Sequence, residues 1–158
     1  MTILDVIDED FVNYKKPVMT ILCCHCSFKC DHECGRPVCQ NSKLAQSPSI
    51  HIDDEKLVNR YISNKITKAI CFQGLEPLDS FNELIEFIIA LNKTGHKDEI
   101  VIYTGYNKDE IESKINQLHS LYSNLIIKYG RYVPDQKPHY DEILGVYLAS
   151  DNQYAERL

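Results

Sequence analysis

Six of the seven cysteines of this chain fall between Cys23 and Cys39, directly after the apolar run Val18 to Leu22. Thiols so close in sequence cannot staple distant parts of a fold, and seven is an odd number, so a disulfide framework is the weaker reading. A metal-bearing loop at the end of a strand is the stronger one. The segment Met1 to Tyr14 is acidic and lacks the basic flank and apolar stretch of a secretory leader. Reduced thiols in a cytoplasmic protein are therefore expected. No stretch approaches the roughly 18 apolar residues of a membrane span, so no membrane association is expected either.

With 158 residues, 44% of them hydrophobic, the chain suffices for one core, and a single domain over residues 1–158 is expected. The formal net charge of -6 argues against nucleic-acid binding, which draws its affinity from clustered Lys and Arg.

Beyond the cysteines, helix-like and strand-like segments alternate with short connections, which is the pattern of an α/β fold with a parallel sheet. Asp53 to Asn64 places Leu57, Val58, Tyr61 and Ile62 on one helical face, and Lys68 to Phe72 reads as a buried strand. Ser80 and Glu83 have capping-box spacing ahead of Phe81, Leu84, Ile85, Ile88 and Leu91, with Gly95 as the stop. Ile100 to Tyr103 gives the next strand, Asn107 and Glu110 open a third helix carrying Ile111, Ile115, Leu118 and Tyr122, and Leu125 to Lys128 is a further strand. In such sheets ligands bind beyond the strand C-terminal ends. The Cys23 to Ile52 stretch reads as one long irregular loop, and the tail from Gly130 covers either the sheet edge or the site.

Three segments carry candidate chemistry. Cys26 and Cys30, separated by three residues, can reach one cluster, with Cys34 or Cys39 as a third ligand; soft thiolates suit iron-sulfur clusters and structural zinc alike. Gln73-Gly74-Leu75-Glu76-Pro77 offers a glycine for close backbone approach and a carboxylate acceptor for an ammonium. Tyr103-Thr104-Gly105-Tyr106 follows the next strand at the same edge. Cys23, Cys24 and Cys71 read as small core residues, and His25 as packed beside the site rather than ligating.

In this order the segments resemble the radical S-adenosylmethionine proteins, and among them the small activating proteins of anaerobic (class III) ribonucleotide reductase. Cys26 and Cys30 match the first two cysteines of the C-x-x-x-C-x-x-C motif, and Cys39-Gln40-Asn41 is similar to its Cys-x-Asn ending, which makes Cys34 part of an insertion. Gln73 to Pro77 is similar to the Gly-Gly-Glu-Pro segment, with Leu75 in place of its second glycine. Asp10 to Asn13, Val101 to Tyr106, Gly130-Arg131-Tyr132 and Ser150 to Gln153 resemble further family segments.

The resemblance implies a partial (β/α) barrel and an oxidoreductase that installs a glycyl radical. It implies a 4Fe-4S cluster on Cys26, Cys30 and Cys39 or Cys34. S-adenosylmethionine would meet Gly74, Glu76, Pro77 and Thr104. The implied partners are the large subunit of an anaerobic ribonucleotide reductase and an electron donor such as flavodoxin or ferredoxin. The competing expectation is a non-catalytic module, either zinc folding the loop or an electron-transfer cluster on Cys26, Cys30, Cys34 and Cys39.

Overall fold

The computed structural model describes residues 1–158. Its strands and helices, in chain order, are β1 (Thr2–Asp10), β2 (Val18–Cys23), α1 (Lys29–Cys34), β3 (Ile50–His51), α2 (Asp54–Ser63), β4 (Ala69–Gly74), α3 (Phe81–Lys93), β5 (Glu99–Tyr103), α4 (Lys108–Leu121), β6 (Leu125–Tyr129), β7 (His139–Asp141), β8 (Val146–Leu148) and β9 (Tyr154–Arg157). Seven strands form one sheet in the order β3-β1-β2-β4-β5-β6-β9. Its central four, β2, β4, β5 and β6, are parallel and adjacent in chain order. The α/β expectation holds, but the sheet is mixed rather than parallel. β1 and β3 add antiparallel strands at one edge and β9 at the other.

Each central strand is buried on both faces, which explains the continuous apolar runs. On one face Met19, Ile21, Ile70, Phe72, Ile100, Ile102, Leu125 and Ile127 meet the apolar stripes of the helices: Leu57, Val58 and Tyr61 of α2, Leu84, Phe87, Ile88 and Leu91 of α3, and Ile111, Ile115 and Leu118 of α4. On the other face Val18, Ala69, Cys71, Val101 and Ile126 are covered by Tyr14, Leu144 and Leu148. The tail thus serves both expected roles. β9 closes the β6 edge, while the β7–β8 hairpin supplies Leu144 and Leu148 to this second face and Tyr147 and Leu148 to the cavity at the strand ends.

Several local readings are corrected. The acidic N-terminus is a strand: Ile3, Leu4 and Val6 are buried, and Asp5, Asp8 and Glu9 lie outside the core. Cys23 to Ile52 is not one irregular loop but holds α1, a 3-10 turn at Leu44–Gln46 and β3. The capping box at Asn107 and Glu110 forms, with Glu110 Oε2 accepting the Asn107 N–H at 2.8 Å. The one at Ser80 does not. Glu83 Oε1 instead accepts from the Thr2 N–H (3.0 Å) and Thr2 hydroxyl (2.9 Å), tying β1 to α3 and leaving the buried Ser80 hydroxyl without a partner. No helix is long and apolar enough to cross a membrane.

Candidate metal and ligand site

A cavity of about 290 Å³ opens at the C-terminal ends of β2, β4, β5 and β6. Its lining includes Cys26, Cys30 and Cys39 from the cysteine loop and Gly74, Glu76 and Thr104 from the turns after β4 and β5. Pairing between β2 and β4 continues past the strand ends: the Leu75 N–H donates to the Cys23 carbonyl (3.3 Å) and the Glu76 N–H to the His25 carbonyl (2.7 Å). The cysteine loop therefore starts in fixed register with the Gly74–Glu76 turn.

Gly74 is required at that turn. It has φ +96°, and a Cβ there would stand 3.2 Å from the Cys23 nitrogen and from Leu22 Cα. Asn41 binds the Gly74 carbonyl, so the far end of the cysteine loop returns to the same point. Asp79 adds another tie, accepting from the Ser27 N–H (2.7 Å) and the Tyr106 hydroxyl (2.6 Å).

The arrangement of thiols follows from one carboxylate. Asp31 Oδ1, on α1, accepts the N–H groups of Val38 (2.7 Å) and Cys39 (2.8 Å), folding the chain back so that Cys39 stands beside Cys30. Cys34 does not line the cavity. α1 itself is held by charge: Lys29 and Arg131 both donate to Glu110 Oε1 (3.0 and 2.6 Å), and Arg131 Nε lies 3.2 Å from Glu33.

Burial pushes the Cys26 thiol up to about 11, against a hydrogen bond from the Phe28 N–H at 3.2 Å. Burial and then the neighbouring Cys39 push Cys30 up to about 12. All seven cysteines are free, so binding of a metal by these two releases their protons. The donor set fits an iron-sulfur cluster. It comprises three cysteines lining one cavity, one of them already accepting a backbone N–H of the kind that tunes cluster potentials.

Glu76 lines the cavity yet is only 6% exposed. Its Oε1 accepts from the Leu78 N–H (3.0 Å) and the Thr104 hydroxyl (2.8 Å), and its Oε2 from the Gly105 N–H (2.8 Å). Burial raises its pKa to about 7 despite these three donors. Pro77 is buried and does not line the cavity; it opens the 3-10 turn Pro77–Ser80 that follows Glu76. Leu75 lines the cavity.

Cys23 and Cys71 are core residues as expected. Cys24 is only half-buried, its thiol donating to the Thr2 carbonyl at 3.2 Å, and the His25 side chain is exposed rather than packed, only its carbonyl being used. Sequence reasoning missed Asp31 and Asp79, whose neighbours are set by folding alone. It also missed Lys128, for which a signal existed: a lone Lys in the apolar run Leu125 to Tyr129.

A family model described as a 4Fe-4S single cluster domain covers residues 18–153, and so includes the cysteine loop, the Gly74–Pro77 turn and the tail up to Gln153. No curated protein and no solved structure matches.

Proposed function

The chain belongs to the family of 4Fe-4S single cluster domains, and on that premise we propose that it is a radical S-adenosylmethionine activase that installs a glycyl radical on an anaerobic ribonucleotide reductase. The observation that carries this reading is the shared cavity. Three thiols rather than four line it, and the same cavity holds the Glu76 carboxylate and the Thr104 hydroxyl. Three ligands on a four-iron cube leave one iron open, as open coordination does in catalytic metal sites. An electron carrier would call for a fourth thiol, and Cys34 is outside the cavity.

In this reading Cys26, Cys30 and Cys39 hold the cluster. When bound, it supplies the single electron that cleaves the sulfonium of S-adenosylmethionine to methionine and a 5'-deoxyadenosyl radical. Glu76 Oε2, with one N–H already bound, accepts from the methionyl ammonium. Thr104 and Gly105 fix the carboxylate so that it does not rotate as the ligand enters. The sequential order of β2, β4, β5 and β6, with helices on one face, supports the partial-barrel reading. The electron donor would be a small redox protein such as flavodoxin or ferredoxin.

The test is anaerobic reconstitution with iron and sulfide, reduction, and addition of S-adenosylmethionine together with a candidate reductase. Formation of 5'-deoxyadenosine and a glycyl radical signal by electron paramagnetic resonance is the expected result. A well-formed cluster with neither product points to electron transfer, and colourless protein holding zinc refutes the iron-sulfur chemistry altogether.

A further inference from the structure

The cysteine loop is tied to the body of the protein at two points. At its start the Glu76 N–H donates to the His25 carbonyl (2.7 Å) and the Ser27 N–H to Asp79 (2.7 Å); at its far end the Asn41 side chain binds the Gly74 carbonyl. Between these ties no residue from Lys29 to Gln40 joins either apolar core, and α1 buries none of its side chains. Every hydrogen bond and ion pair that this segment makes with residues beyond the cysteine loop is charged. Lys29 meets Glu110, Glu33 meets Arg131, and Arg36 meets Asp135, the last at 3.5 Å between exposed groups.

This segment divides the thiols unevenly. Cys30 and Cys39 lie on it, whereas Cys26 precedes the Ser27 tie. α1 is bounded by two left-handed residues, Phe28 (φ 51°) and Gly35 (φ 65°), and that backbone is uncommon for a residue as bulky as Phe. Movement of Lys29–Gln40 as a unit would separate two cluster ligands from the third without disturbing the sheet. The charged contacts that oppose such movement converge on Glu110. Its Oε1 accepts from Lys29 (3.0 Å) and Arg131 (2.6 Å), and Arg131 also lies 3.2 Å from Glu33 on α1. Its Oε2 accepts the Asn107 N–H to cap α4, a task for which a glutamine amide suffices, so the cap does not account for the charge. The Arg131 side chain is 6% exposed, which makes its pair with Glu110 the stronger arm; Lys29, 44% exposed, adds less.

We propose that Glu110 is a positioning residue that latches the strap Lys29–Gln40 over the cavity, and that release of this latch opens the strap to let a cluster in or out. In the closed form Cys30 and Cys39 stand with Cys26 in the cavity lining. A cluster bound to all three joins the strap to the fixed part of the loop and so acts in the same direction as Glu110. This rests on the proposed function only in taking Cys26, Cys30 and Cys39 as the cluster ligands, and it is independent of what the cluster does.

The experiment compares wild-type protein with Glu110→Gln, which keeps an acceptor for the Asn107 N–H, and with Asn107→Ala, which weakens the α4 cap and leaves the ion pairs intact. Amide hydrogen exchange is followed by mass spectrometry on the metal-free proteins under anaerobic reducing conditions, and iron release to a chelator is followed on the reconstituted ones. Loss of the charge-assisted bonds to Glu110 predicts roughly tenfold or greater faster exchange across Lys29–Gln40 in Glu110→Gln, with β2, β4, β5 and β6 unchanged, and a comparable rise in the rate of iron release. Asn107→Ala is expected to speed exchange at the start of α4 and to leave the strap at its wild-type rate. A merely structural Glu110 would act like the cap variant. Strap exchange within twofold of wild type in Glu110→Gln, an equal acceleration in the central strands, or unchanged iron release overturns the proposal and leaves the proposed function standing. If wild-type protein takes up no cluster, the proposed function falls and the cluster-gating role falls with it, while the exchange data still decide whether Glu110 latches the strap.

Discussion

Lys128, buried in β6 with its ammonium bonded only to the Gly130 carbonyl, carries a prediction that needs no ligand: removing its charge stabilises the protein. Burial holds the ammonium at about 8 instead of its ordinary 10.5, with the Glu76 carboxylate opposing the shift. At about 1.4 kcal/mol per pH unit, that difference corresponds to roughly 3 kcal/mol by which folding disfavours the charged form. Relaxation and water entering the open cavity reduce the gain expected in practice to about 1–3 kcal/mol for Lys128→Met. The sign with pH follows. A group whose folded pKa is depressed contributes its full stability above its unfolded pKa and loses it as pH falls through the folded value. Wild type is therefore handicapped below about pH 8, and the gap between the proteins closes between about 8 and 10.5. Anaerobic urea unfolding of both proteins, in the same cluster state at pH 6.5, 8 and 9.5, measures it. With a urea dependence of about 1–3 kcal/mol per molar, the midpoint of the variant should lie on the order of 1 M higher at pH 6.5 and move towards wild type at 9.5. Equal midpoints at pH 6.5, or a gap that does not shrink with pH, would refute the reasoning.

Cys39→Ser is expected to lose the visible absorbance and iron of the reconstituted cluster while Cys34→Ser keeps both, since only Cys39 lines the cavity with Cys26 and Cys30; the reverse pattern would reassign the third ligand. Gly74→Ala forces a Cβ into φ +96° and to 3.2 Å from the Cys23 nitrogen, so a loss of about 1–3 kcal/mol is expected in thermal unfolding, and an unshifted melting temperature would contradict the tight turn. With burial raising Glu76 to about 7, its carboxylate is half protonated near neutrality. Affinity for S-adenosylmethionine should then rise as pH increases from 5.5 through 7 and level off above about 8, and a flat profile in equilibrium dialysis would remove Glu76 from ammonium binding.

The elements legible in the sequence are those whose formation is driven by apolar burial. β2, β4, β5 and β6 are continuous apolar runs because helices cover one face and Tyr14, Leu144 and Leu148 the other, and α2, α3 and α4 show their stripes because the opposite faces meet water. β1 is hidden because acidic residues interrupt the alternation of Ile3 and Val6, and its pairing to β2 includes register irregularities at Asp5 and Asp10. Asp10 reads as one more surface acid but is buried, taking the Thr20 hydroxyl at 2.6 Å and the N–H groups of Val12 and Asn13. At Ser80 the capping-box spacing is present, yet Glu83 finds better-placed donors on Thr2, 81 residues away in sequence. A local motif loses to a long-range contact that no local window contains.

The cysteine loop obeys the same logic more strongly, because polar contacts rather than apolar ones build it. α1 buries no residue, so it has no hydrophobic period to read. Its position is fixed by Lys29 and Arg131 meeting on Glu110, and by Glu33 beside Arg131. Linear spacing offers both Cys34 and Cys39 after Cys30, and Cys34 is the nearer in sequence. It is one helical turn from Cys30 along α1, whereas Asp31 captures two backbone N–H groups and returns Cys39 across that turn to the cavity. The departure from regular cysteine spacing is thus accommodated by a single carboxylate inside the spacer. The place of Cys39 beside Cys30 at the cavity is set by where Asp31 finds its donors, not by the count of residues between cysteines.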